Sequence, residues 1–163
     1  MLRIGKLTDY ALLIMGHLAQ SSVAVLSAAS LADALHLTLP TVSKVLKMLS
    51  EADLVNSIRG VDGGYHLARP ATAISIADVI TAMEGEFAMT QCCEKINVCA
   101  INASCTMRDN WRTINHFIKN MLAKLSILDM LKPLALQSLL NTNTNININA
   151  NINANVIAEV KAS

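Results

Sequence analysis

The chain has 163 residues, 53% of them hydrophobic, enough for one buried core with an appendage and too few for a large multidomain enzyme. Its 13 basic and 12 acidic residues give a net charge of +1, so any affinity for nucleic acid has to come from local placement of cations. Aromatics at 3% argue against a stacking platform for single strands. His17 interrupts the short apolar patch at 11–16, which therefore reads as neither a signal peptide nor a spanning helix. With four cysteines and no secretory signal, the expected compartment is the reducing cytoplasm, with no membrane partner.

Residues 8–20 are predicted to form a helix, with Thr8 as N-cap, Asp9 in the first turn where the dipole favours an anion, and Leu12, Leu13 and Leu18 as an apolar face. The run at 23–26 is a small strand or a buried connection. Ser27 is placed to cap a second helix carrying Leu31, Ala32 and Leu35. After a brief turn at 36–39, Pro40 suits the first turn of a third helix, where a missing N–H costs nothing. There Val42, Val45, Leu46 and Leu49 recur at i, i+3, i+4 and i+7, an amphipathic stripe, and the opposite face carries Thr41, Ser43, Lys44 and Lys47. Two short helices joined by a tight turn, the second with hydroxyls and lysines outward, have the form of a helix-turn-helix that enters a major groove. Helical hairpins of this kind also occur in proteins that bind no nucleic acid.

The next segment favours the DNA reading. Residues 54–58 read as a strand, 59–64 as a glycine-rich turn and 65–67 as the returning strand, a hairpin that would form a wing. Arg59 would stand near its tip, where a guanidinium can enter a narrow minor groove. The plainer reading of Gly63-Gly64 is a turn needing positive φ. Residues 74–84 are a further predicted helix, capped by Ser75, with Ile76, Val79, Ile80 and Met83 inward and Gly85 at its end.

All four cysteines then fall between 92 and 105. A disulfide framework suits a small secreted domain short of core, which this chain is not. Cys93, Cys99 and Cys105 stand at equal intervals with five residues between neighbours, so a loop could present three thiolates to one soft metal centre. Zinc and an iron-sulfur cluster both remain open on spacing alone, as do inert buried thiols. From Met107, apolar residues at 107, 111, 114, 118, 121, 125 and 128 alternate by four and three, a coiled-coil seam that needs a partner; a homodimer is expected, with packing against the chain's own core as the alternative, and Pro133 stops it. The asparagine-rich repeat at 141–155 is expected to be a disordered tail.

Pro40-Thr41-Val42-Ser43-Lys44-Val45-Leu46-Lys47, Ser57-Ile58-Arg59-Gly60, Gly63-Gly64-Tyr65, Leu67-Ala68-Arg69-Pro70, Asp78-Val79-Ile80 and Glu84-Gly85, followed by the spaced cysteines, resemble the Rrf-two family of bacterial winged-helix regulators over about residues 1–132. That family includes the iron-sulfur cluster regulator IscR and the nitric-oxide-sensing repressor NsrR, and the opening ten residues look most like the branch that regulates the SUF iron-sulfur assembly system. The resemblance implies a mainly α fold: a winged helix-turn-helix with a small β-hairpin wing at 1–85, a cluster-binding cysteine loop at 86–106, a long dimerisation helix at 107–132, and beyond it the tail at 133–163. It implies a 2Fe-2S or 4Fe-4S cluster on Cys93, Cys99 and Cys105. The histidine that completes the IscR-like pattern is replaced by Arg108, which cannot be a ligand, whereas Asp9 matches the aspartate that NsrR-like members supply from the partner subunit. A second departure is Asp53, where the family generally has glycine.

The function implied is a homodimeric, cluster-sensing transcription factor that binds a roughly palindromic double-stranded operator through Thr41, Ser43, Lys44, Lys47 and Arg59. The alternatives are a zinc- or thiol-based regulator of the same fold and, from another class, a cysteine enzyme or cluster-transfer protein. Against an enzyme, the nearest histidine after the cysteines, His116, lies eleven residues beyond Cys105, and no base is evident.

Overall fold

The computed structural model describes residues 4–22, 25–60, 62–94 and 104–134. Three helices open the chain: α1 (Lys6–Gln20), α2 (Ala28–Leu35) and α3 (Leu39–Glu51). A two-stranded antiparallel hairpin follows, β1 (Val55–Ile58) and β2 (Gly64–Leu67), with Val55 opposite Leu67 and Ile58 opposite Gly64. Then come α4 (Ile76–Glu84), the single turn α5 (Gln91–Glu94), α6 (Arg108–Lys124) and the short α7 (Ile127–Met130).

The amphipathic stripe predicted for α3 is the centre of the core. Val42, Val45, Leu46 and Leu49 are each 0% exposed; α3 packs on α1, where Ala11, Ile14 and Met15 are equally buried, and on α2, where Leu31 is. Full burial of each such side chain is worth about 1.5–3 kcal/mol, so the stripe alone fixes which face of α3 looks outward. Ser27 caps α2 as expected, accepting the Ser30 N–H at 3.0 Å. Pro40 sits in the first turn of α3.

Helices α2 and α3 end alike. His36 (φ 52°) and Asp53 (φ 54°) are left-handed, and the next residue in each case reaches back five positions, Leu37 N–H to the Ala32 carbonyl and Leu54 N–H to the Leu49 carbonyl, both at 3.0 Å. This is the Schellman closure, made here without glycine. Asp53 thus adopts the left-handed conformation that glycine most readily takes.

Two expectations are corrected. Thr8 does not cap α1: the helix starts two residues earlier, with Gly5 at the N-cap, and Thr8 is buried at 1% exposure. Its hydroxyl donates to Glu84 Oε1 at 2.5 Å, the same oxygen that accepts the Gly5 N–H at 2.7 Å, so the cap comes from the end of α4. The seam also does not continue as one helix to 132. The chain leaves α6 at Leu125, whose carbonyl accepts the Ile76 N–H at 2.8 Å, while the Ile127 N–H bonds the Ile74 carbonyl at 2.9 Å. Leu125 and Ile127 are buried in the chain's own core, and α7 packs on α1.

Gly63 and Gly64 also differ from the simple turn reading. Of the wing's described glycines only Gly60 has positive φ, at 125°. A Cβ on Gly64 would lie 2.5 Å from the Leu26 carbonyl oxygen, and one on Gly63 would strike the Ile58 carbonyl, so these two are glycine because backbone passes against them. Leu26, the one described part of the run at 23–26 to pair, makes an isolated bridge to Tyr65. The asparagine-rich repeat lies outside the described residues.

Candidate nucleic-acid interface and cysteine segment

Burial of the α3 stripe turns Ser43, Lys44 and Lys47 into solvent, with Thr41 half-buried beside them. Thr38, at the N-cap, makes no side-chain cap; its hydroxyl pairs with that of Thr41 at 2.8 Å, leaving the first-turn N–H groups of α3 without a side-chain partner from Thr38. Thr38 is a further polar side chain at this helix start, beyond those the amphipathic pattern marks. The signal was present, since a hydroxyl directly before a helix opening on Leu-Pro is a cap position. Lys47 Nζ stands 3.8 Å from Glu51 Oε1, but both side chains are largely exposed and such an i,i+4 pair is worth only about 0.3–0.5 kcal/mol, so the lysine can be recruited by a phosphate. Arg59 is exposed at the end of β1, where the wing turns.

The cysteine segment leaves α4 at Gly85, which has φ 87° and ends the helix. It is then held to α6 by Asn115, whose Oδ1 accepts the Met89 N–H at 2.9 Å and whose Nδ2 donates to the Phe87 carbonyl at 3.4 Å, and by Arg112, whose Nε donates to the Cys92 carbonyl at 3.2 Å. Cys92 and Cys93 lie in α5, both half-buried, with their sulfurs 3.1 and 3.2 Å from the Thr90 hydroxyl. Cys105 is half-buried just before α6. These three cysteines are free thiols. Cys99 lies outside the described residues, and among the described residues no three metal-ligating side chains come together. Asp9 is exposed in the first turn of α1 and lines a groove of about 320 Å³ with His17, Leu131 and neighbours from α1 and α7.

The described thiols fit a soft metal group by their chemistry: accessible sulfur donors on a short arm, beside a cationic helix side chain. Residues 4–133 match the Rrf2 family, described as "Iron-dependent Transcriptional regulator". The chain belongs to the Rrf2 family. A Neisseria meningitidis relative named "Putative HTH-type transcriptional regulator" is 35% identical over 123 residues, covering 76% of this chain and 81% of its own. The HTH-type transcriptional regulator NsrR of Oceanobacillus iheyensis is 31% identical, covering 66% and 74%. Among solved structures, CymR, the global cysteine regulator of B. subtilis, superposes with a TM-score of 0.65 at 28% identity, covering 80% of this chain and 96% of that one. IscR of T. potens gives 0.61 at 27%, covering 80% and 86%. This Rrf2 protein is therefore a transcriptional regulator and not an enzyme, with the mainly helical winged-helix architecture that the sequence implied. Among the described residues no helix is long and apolar enough to cross a membrane.

Proposed function

We propose that this Rrf2 protein is a cytoplasmic homodimer that binds duplex operator DNA through α3 and the wing. It holds an iron-sulfur cluster through Cys93, Cys99 and Cys105, and the genes it governs are those of SUF-type cluster assembly. The observation that carries the DNA reading is the outward strip of Thr41, Ser43, Lys44 and Lys47, on a helix whose opposite stripe is wholly buried, next to Arg59. That strip offers hydroxyls and cations to a major groove and its phosphates. The cluster reading is supported by the likeness to IscR and NsrR and by free, half-buried thiols at Cys93 and Cys105.

When bound, the cluster supplies a centre sensitive to oxidants and nitric oxide. The chain's own part is to hold the arm: Asn115 and Arg112 tie it to α6, so a change in the arm is felt on that helix. Helix α6 buries none of its residues and leaves Ile114 and Phe117 42% and 41% exposed, a face suited to a second copy. In that dimer Asp9 would come from the other copy as fourth ligand, as the NsrR-like pattern implies.

A second reading, a thiol-based regulator, is favoured by the likeness to CymR and by the two sulfurs sharing the Thr90 hydroxyl. Anaerobic purification separates the two. Visible absorption that disappears in Cys93→Ala, together with operator binding that changes on cluster removal, supports the cluster. A colourless protein whose operator affinity responds to disulfide oxidants supports the thiol switch instead.

A further inference from the structure

We infer that Glu84 is a positioning residue that pins the start of α1, and with it Asp9, to the root of the cysteine arm. This rests on the proposal that Asp9 is a cluster ligand, and deepens it. Helix α1 has no cap from its own sequence, since Gly5 at the N-cap has no side chain to offer. The acceptor is supplied from 79 residues away: Glu84 Oε1 takes the Gly5 N–H at 2.7 Å and the Thr8 hydroxyl at 2.5 Å. Thr8 is the buried polar residue of the described core, at 1% exposure, so its hydroxyl depends on that one oxygen to replace water. Asp9 is the very next residue, and its own N–H bonds the Gly5 carbonyl at 3.1 Å.

Glu84 is equally well placed at its other end. It is the last residue of α4, and Gly85 after it breaks the helix with φ 87°, with nothing within 4 Å of where a Cβ would stand. The arm that carries Cys92 and Cys93 departs from this point. One carboxylate therefore joins the helix that offers Asp9 to the partner's cluster to the hinge of the arm that holds this chain's own thiolates, so each copy links the two proposed sites of the dimer. Asp9 is exposed on a helix whose inner face is packed, and the bonds from Gly5 and Thr8 to Glu84 set how the first turn that presents it is held. Groups that orient ligands in this way commonly change metal affinity by about 10–100-fold when removed.

The test uses the full-length protein, reconstituted anaerobically, with the rate of cluster loss read from visible absorption and the protection of the Gly5 amide read by hydrogen exchange on the cluster-free form. Glu84→Ala is expected to expose the Gly5 amide and speed cluster loss about 10-fold or more. Glu84→Gln, which keeps the acceptor oxygen, is expected to restore both, and Thr8→Val, which keeps the fold's volume, to fall between. In the Asp9→Ala background, Glu84→Ala is expected to add nothing further. Loss of amide protection with unchanged cluster lifetime would overturn the proposal and leave Glu84 as a helix cap only, as would full additivity with Asp9→Ala. A normal cluster lifetime in Asp9→Ala alone would remove the ligand reading itself, and this inference with it.

Discussion

Leu26 and Tyr65 exchange both backbone hydrogen bonds, the Leu26 N–H reaching the Tyr65 carbonyl at 3.0 Å and the Tyr65 N–H the Leu26 carbonyl at 2.8 Å. Two strands of four residues make a hairpin that is marginal by itself. The bridge lays its second strand against the chain entering α2, so the wing and the helix-turn-helix are joined by main chain. The root of the wing that carries Arg59 is thereby tied to the helix pair that carries Lys44 and Lys47.

Gly64→Ala tests that joint. Its methyl would meet the Leu26 carbonyl oxygen at 2.5 Å, a backbone atom that cannot swing aside. The variant is expected to lose about 1–3 kcal/mol in chemical denaturation and to bind operator more weakly. Stability equal to wild type would mean that the crossing is looser than described.

The left-handed helix ends give a prediction of opposite sign. His36 and Asp53 each carry a Cβ in a conformation that costs a non-glycine residue about 1–2 kcal/mol. Part of that relief is offset by the greater freedom of glycine in the unfolded chain. Asp53→Gly is accordingly expected to stabilise by up to about 1 kcal/mol, measured by urea denaturation. A destabilised Asp53→Gly would show that the aspartate side chain makes a compensating bond.

Much of this was legible in the residues. The α3 stripe, the Ser27 and Ser75 caps and the wing are local patterns, and each formed where the spacing put it. What was not legible is long-range. Nothing near Thr8 announces that its partner is Glu84, and nothing at Gly64 announces that Leu26 will cross it. The heptad pattern overruns the end of α6 because Leu125 satisfies a heptad and a core position equally. A signal was nonetheless available in Ser126-Ile127-Leu128-Asp129, a capping box that starts a new helix, and Ser126 does exchange cap bonds with Asp129. The proposed site residues divide the same way: the α3 positions follow from periodicity, whereas the proposed meeting of the thiols with Asp9 calls for a second copy and for Cys99, which lies outside the described residues.

That same capping box yields a pH dependence. The Ser126 hydroxyl at 2.6 Å and its backbone N–H at 2.9 Å favour the charged form of Asp129 and hold its carboxyl below the usual range, Lys132 adding a smaller pull the same way. A carboxylate depressed by folding contributes stability that is complete above its unfolded pKa and is lost as pH falls through the folded value. The melting temperatures of wild type and Asp129→Asn are therefore expected to differ more at about pH 7 than at about pH 3. A difference that is flat or grows in acid would contradict the assignment.

On the proposed DNA face, Lys44→Ala and Lys47→Ala are each expected to weaken operator binding and to reduce the salt slope by about one counterion where they contact phosphate. Arg59→Ala is expected to weaken binding by removing a minor-groove contact. Glu51→Gln, which releases Lys47 from its exposed pair, should leave affinity equal or slightly higher. Filter binding across a salt series measures all four, and three alanine variants with wild-type affinity would remove α3 and the wing from the interface.

The proposed dimer face of α6 can be tested without confusing assembly with folding, because the structure separates the exposed apolar residues of that helix from those that face the chain's own core. Ile118 and Leu122 line a groove of about 630 Å³ with Ile80 of α4, so a charge there strikes the chain's own packing. Ile114 and Phe117 are each more than two-fifths exposed in the single chain, and a glutamate at either can be solvated in the monomer. In a dimer joined through this face the same carboxylate is buried without a partner. A cost of a few kcal/mol raises the dissociation constant at least about 100-fold. Ile114→Glu and Phe117→Glu are therefore expected to keep the thermal unfolding of a folded monomer and to sediment as monomers at concentrations where wild type is dimeric. If both variants remain dimers, the second copy docks elsewhere, and Asp9 must be sought near the cysteines by another route.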